Sequence, residues 1–162
     1  MRRVNALLRH PRFTAALSEL EALEEERIFC RHGLPHLLDV ARIAWIQALE
    51  QGVLLDKEVV YAAALLHDLG RVAQLRQGTP HEEASAALAA AILPECGYTE
   101  GEILELSAAI LSHRGGNTAQ ADGTPLGRLL YDADKKSRAC WRCKAQALCN
   151  WKTERRNTGI DC

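Results

Sequence analysis

Apolar residues recur at helical spacing through most of this chain, and nowhere do they alternate as a half-buried strand requires. Aromatic residues make up only 5% of the composition although 48% is apolar, and alanine and leucine fill the difference. Strands draw on the β-branched and aromatic residues that are scarce here, so the balance predicts an all-α fold. A chain of 162 residues suffices for one such domain and buries roughly 70% of its unfolded surface. The spacing predicts about six core helices. The first covers Phe13 to Ile28, and the second runs from Pro35 until Gly52. Asp56 caps a third, KEVVYAAALLHDL, which Gly70 terminates. Thr79-Pro80-His81-Glu82 reads as a capping box opening a fourth helix that reaches about Leu93. Thr99-Glu100-Gly101-Glu102 repeats that pattern for a fifth through Leu111, and Pro125 opens a sixth through about Lys136. Residues 1–138 thus read as a helical domain, and 139–162 as a cysteine-rich appendage.

The net charge of −1 provides no global basic field for nucleic acid or a membrane surface. Charge is nevertheless uneven. Glu19 to Glu26 are acidic, whereas Lys135 to Arg156 hold eight basic residues against Glu154. No stretch approaches the ~18 consecutive apolar residues of a spanning helix, and MRRVNALLRHPRF lacks the apolar run of a secretory signal. A cytoplasmic protein is expected. Its six cysteines then read as reduced thiols or metal ligands, not as a disulfide framework.

The chemistry is concentrated in six residues strung along the chain: His36, His67, Asp68, His81, His113 and Asp134. Imidazole and carboxylate together suit first-row transition metals. One metal needs three or four protein ligands, so six serve two metals that share a carboxylate. Taken singly, His36 or His81 would read as an ordinary polar residue; the order of all six carries the signal. His36 and His81 fall in first turns of predicted helices, and His67, Asp68 and His113 in last turns. Adjacent helical residues point about 100° apart, so His67 and Asp68 can share a site only off the helix end.

AALLHDLG, HLLDVARIA and YDADKKS, over Leu34 to Ser137, resemble the signatures of the HD-domain superfamily of metal-dependent phosphohydrolases. The resemblance implies an all-α HD-domain bundle in which His36, His67, Asp68 and Asp134 bind one metal. Asp68 would bridge to a second held by His81 and His113, although some members use only one. Asp132 competes with Asp134 for the closing role, but two residues on a helix lie about 200° apart and cannot both face one site; the ADK context favours Asp134. Two divalent transition metals (Fe, Mn, Co, Ni or Zn) are the implied cofactors. Four imidazoles, two carboxylates and two such ions leave a cationic pocket, and metal-held water becomes hydroxide near neutrality as its pKa falls to ~7. The expected substrate is a small phosphate ester or anhydride, foremost a nucleotide. Arg71 and Arg114, beside these ligands, are candidates to hold phosphate oxygens, with Lys135 equally readable as a surface charge. Gly115-Gly116-Asn117 would allow a turn at the pocket mouth. His32 stands outside the ligand set, as a candidate for substrate contact or ligand support, and His10 reads as a surface residue. Two alternatives remain: a di-iron oxygenase, since some HD-like proteins activate oxygen on a similar four-His, two-Asp site, and a non-enzymatic metal or redox sensor.

The tail carries Cys140-Trp141-Arg142-Cys143, then Cys149 and Cys162. Four thiolates would complete a zinc site or an iron–sulfur cluster. A metal staple is the first reading, because so little apolar surface cannot offset the entropy of ordering the segment; a reversible dithiol of Cys140 and Cys143, or incidental cysteines, are the others. Cys30 and Cys96 read as small buried hydrophobes. Trp141 and Trp151 lie among basic residues, but a local mini-core is the commoner role, and nucleic acid is not an expected partner.

Overall fold

In the computed structural model, which describes residues 1–113 and 123–160, the protein is all-α. The helices are α1 (Arg2–Arg9), α2 (Pro11–Leu23), α3 (Leu34–Glu50), α4 (Lys57–Leu66), α5 (Arg71–Gln77), α6 (His81–Ile92), α7 (Glu100–Ser112) and α8 (Pro125–Lys136). No strand occurs among the described residues, and no helix among them is long and apolar enough to cross a membrane.

The bundle is organised around α4. The Asp56 carboxylate starts it by accepting hydrogen bonds from the Glu58 and Val59 amides at 2.7 and 3.1 Å. Every residue from Val59 to Leu66 except Tyr61 is then buried, so α4 is apolar around nearly its whole circumference, as a central helix must be. It packs against α3, α7, α1, α6 and α8. The consequence for function is direct: the residues that follow, His67 and Asp68, are delivered into the protein interior.

Local signals placed several helices where they were expected. Thr99 and Glu102 form a complete capping box on α7, and Thr124 caps α8 through the Gly127 amide, with Pro125 behind it. Elsewhere tertiary contacts intervened. The helix expected over Phe13 to Ile28 is α2, which starts earlier, at Pro11, capped by the His10 imidazole that accepts from the Arg12 amide, and the unexpected α1 precedes it. His10 is therefore a cap, also 3.2 Å from Glu95, and not a free surface residue. The helix stops at Leu23, since the Glu24 side chain turns inward to hold His32. The α4 helix ends at Leu66, not at Leu69, and the extra helix α5 follows. No capping box forms at Thr79: Pro80 is the cap of α6 and makes no side-chain cap bond.

Gly70 has another role than the expected left-handed stop. Its φ is −65°, open to any residue. What demands glycine is proximity: a Cβ there would lie 2.1 Å from the His81 carbonyl oxygen and 2.5 Å from the Ser85 amide. Ser85 fastens the junction further. Its hydroxyl donates to the His67 carbonyl at 2.7 Å and accepts from the Gly70 amide at 2.8 Å. The start of α6, with His81, is thereby clamped onto the end of α4.

Candidate metal centre

Helix ends from four places in the fold converge on Asp68. His67 and Asp68 leave the end of α4, His36 comes from the first turn of α3, His81 opens α6 and His113 caps α7. Asp134, near the end of α8, closes the set. His67, Asp68, His81, His113 and Asp134 are buried and His36 nearly so.

The donors form two groups that share one carboxylate. His36, His67, Asp68 and Asp134 offer atoms all within 4.8 Å of one another, as do Asp68, His81 and His113. Asp68 Oδ2 faces His36 and His67 at 3.6 and 3.3 Å, and Oδ1 faces His81 at 3.3 Å and His113 at 4.0 Å. Each oxygen of Asp68 thus serves one group, the arrangement a bridging ligand requires.

Tautomers follow from the backbone. The Nδ1 atoms of His67 and His113 lie 2.7 and 2.5 Å from the carbonyls of Ala64 and Ile110, which can only accept. Nδ1 therefore carries the proton, and the Nε2 lone pair points into the site. Nε2 of His81 and Nε2 of His113 face each other at 3.2 Å. Among the described residues, His36 Nε2, His67 Nε2 and both Asp68 oxygens are buried without a hydrogen-bond partner. Burying so many unpaired polar atoms is costly. Divalent cations, which accept lone pairs from imidazole and carboxylate alike, fit this donor set.

Electrostatics favour the ligand forms of Asp68, Asp134 and His113, whereas for His67 burial lowers the pKa but Asp68 and Asp134 outweigh it and raise it. Burial pushes the Asp68 carboxyl up, but His67, His36 and the Arg71 guanidinium outweigh it and hold Asp68 well below the usual carboxylate range. Asp134, likewise penalised by burial, is held low by Arg138 and Lys135. Burial, with His67 nearby, depresses the His113 imidazole to about 4, keeping it neutral.

Of Arg71, Arg114 and Lys135, two are among the described residues. Arg71 lies beside the centre, its Nε 2.9 Å from Asp68 Oδ1. Lys135 pairs with the Asp134 carboxylate and lies over the Tyr131 ring at 4.9 Å. Arg114, Gly115, Gly116, Asn117 and Cys162 lie outside the described residues. Asp132 takes no part in either donor group, and Asp134 occupies the closing position.

Three contributors escaped the sequence reading. Glu24, counted there only as part of an acidic stretch, is buried and binds His32 twice, accepting from its amide at 2.6 Å and meeting Nδ1 at 2.7 Å. His32 Nε2 consequently faces Asp68 Oδ2 at 3.8 Å. Arg138 donates to Asp134 Oδ1 at 2.8 Å and is itself covered by the Trp151 ring at 4.7 Å. Asn157 donates from Nδ2 to the carbonyls of Lys135, Lys136 and Arg138 at the end of α8. No local pattern marks Glu24 or Asn157, whose partners stand 8 and up to 22 residues away. The tail is thus bound to the helix that supplies Asp134.

Known proteins agree with this architecture. A protein of Clostridium beijerinckii, named only as uncharacterized, is 39% identical over 160 residues, 99% of each chain. The crystal structure of a predicted HD superfamily hydrolase from an uncultured Thermotogales bacterium superposes with a TM-score of 0.66. It covers 96% of this chain and 87% of its own at 23% identity, and so speaks to the fold. The model of the HD domain family matches residues 33–139, the span that holds every residue of the two donor groups. The chain belongs to the HD-domain family.

Proposed function

We propose that this protein is a metal-dependent phosphohydrolase acting on a small phosphorylated molecule, a nucleotide foremost, through a dinuclear centre. The single observation that carries the reading is the gathering of buried Nε2 and Oδ atoms into two donor groups that share the Asp68 carboxylate. His36, His67 and Asp134 would hold one divalent ion, His81 and His113 the other, with Asp68 between. Bound there, such ions acidify a coordinated water and offset charge on phosphoryl oxygens.

The chain's own residues supply the rest. His32 is placed to accept a proton at the centre. Burial lowers its pKa and keeps the imidazole neutral, Glu24 fixes Nδ1, and Nε2 is left facing the centre. Once protonated, His32 would be steadied by the buried Glu24 carboxylate. Arg71 remains the candidate to hold a phosphate oxygen, as does Arg114. A cavity of about 310 Å³ opens beside His36, with Arg31 and Glu24 in its wall. That volume is at the small end of ligand pockets and suits a small molecule better than a polymer.

Glu24→Gln is expected to lower turnover about 10–100-fold, a fraction of what general base catalysis contributes, with metal content unchanged. Because Glu24 raises the His32 pKa, the acid limb of the pH profile should move to lower pH. An unmoved limb would remove His32 from the mechanism.

The reading is tested by metal analysis of anaerobically purified protein and a phosphate-release screen over mono-, di- and cyclic nucleotides. Metal-dependent hydrolysis that a chelator abolishes is the expected result. Oxygen-dependent substrate loss without phosphate release would replace it with the oxygenase. Full metal loading with neither activity would leave a sensor.

A further inference from the structure

Cys30 behaves unlike the buried hydrophobe expected from its sequence context. It is half-buried, and it lines one cavity together with Cys140, Cys143 and Cys149 of the tail. All four are free thiols. Cys96, by contrast, sits in the hydrophobic core. Four cysteines facing one cavity from two chain segments form a ligand set of their own, in a cavity that His36 of the His/Asp centre also lines.

From this we propose that Cys30, Cys140, Cys143 and Cys149 bind a four-iron, four-sulfide cubane cluster. Three observations support it. First, among the described residues no three cysteine sulfurs lie within 4.8 Å of one another. One tetrahedral zinc with bonds near 2.3 Å needs its sulfurs ~3.8 Å apart. A cubane binds each thiolate to a different iron and holds the sulfurs farther apart. Second, the half-open cavity that the four cysteines line measures about 310 Å³, which has room for eight inorganic atoms. Third, the cluster with four thiolates is an anion, and Arg31, Arg138 and Arg156 line the cavity against the lone acid Asp39.

The surrounding backbone is fixed as a ligand loop should be. Arg27 Nε donates to the Cys30 carbonyl at 2.8 Å, Arg156 to that of Cys149 at 2.9 Å, and Gln146 Nε2 to that of Cys140 at 3.4 Å. The regular structure of the described tail is three single turns of 3-10 helix, anchored to the end of α8 by Asn157 and by Trp151 over Arg138. The cluster would join it to the connection between α2 and α3. The chemistry balances without an added oxidant. Two ferrous ions, two ferric ions and four sulfides form the core, and the four thiols release their protons to solvent as each sulfur bonds one iron.

The test supplies the purified anaerobic chain with ferrous iron, ferric iron and sulfide, then measures acid-labile sulfide and visible charge-transfer absorption. Sulfide separates this site from iron in the His/Asp centre, which holds none. The wild type should retain about four sulfides per chain. Cys30→Ser and Cys143→Ser should each lose at least tenfold, with helical circular dichroism unchanged, while Cys162→Ala keeps the cluster. A wild type that holds one tight zinc and no sulfide overturns the cubane. Full retention in Cys30→Ser, with loss in Cys162→Ala, overturns the ligand assignment.

Discussion

Asp68→Asn is expected to empty the metal centre and reduce turnover to background while leaving the helical content intact. The change removes one negative charge and turns one ligand oxygen into an amide that cannot bind a cation. Both donor groups contain Asp68, so the two ions lose a ligand together, whereas loss of His113 would weaken one group only. Shape is nearly conserved, which separates the chemical from the structural effect. The measurement is metal content by elemental analysis alongside phosphate release. An Asp68→Asn protein with full metal and full activity would refute the site.

Gly70→Ala should be the most damaging added methyl among the described glycines. Its Cβ would fall 2.1 Å from the His81 carbonyl oxygen and 2.5 Å from the Ser85 amide, both backbone atoms that cannot swing aside. Overpacking of this kind costs about 3 kcal/mol. For a domain of this size that corresponds to a fall in Tm of roughly 6–12 °C. Because relief requires α6 to move off α4, His81 leaves the donor group it shares with Asp68, and binding of the ion proposed for His81 and His113 should weaken as well. Thermal melts with and without metal measure both effects. Gly78→Ala makes a useful contrast, since nothing lies within 4 Å of a Cβ there and only the φ of +76° opposes it. Equal melting shifts for the two variants would show that proximity at Gly70 is not the constraint.

Much of the architecture was legible before any coordinates. The caps at Asp56 and Thr99 and the proline start of α8 are interactions within three or four residues, and they formed as read. The order of His36, His67, Asp68, His81, His113 and Asp134 was equally plain, and the fold draws them together. The failures have a common cause. His10 read as a surface residue, yet it caps α2 and meets Glu95, 85 residues distant. The inward turn of Glu24 broke a helix that periodicity had extended to Ile28.

Helical class, the principal caps and the roster of His and Asp donors were written in the linear chain, because each rests on residue type and spacing over one or two turns. Packing alone decided that Gly70 must lack a side chain, that Glu24 steadies His32, and that Cys30 joins the tail cysteines. Those outcomes arise from contacts between segments far apart in sequence, where close approach and burial set the energy and no local pattern records them.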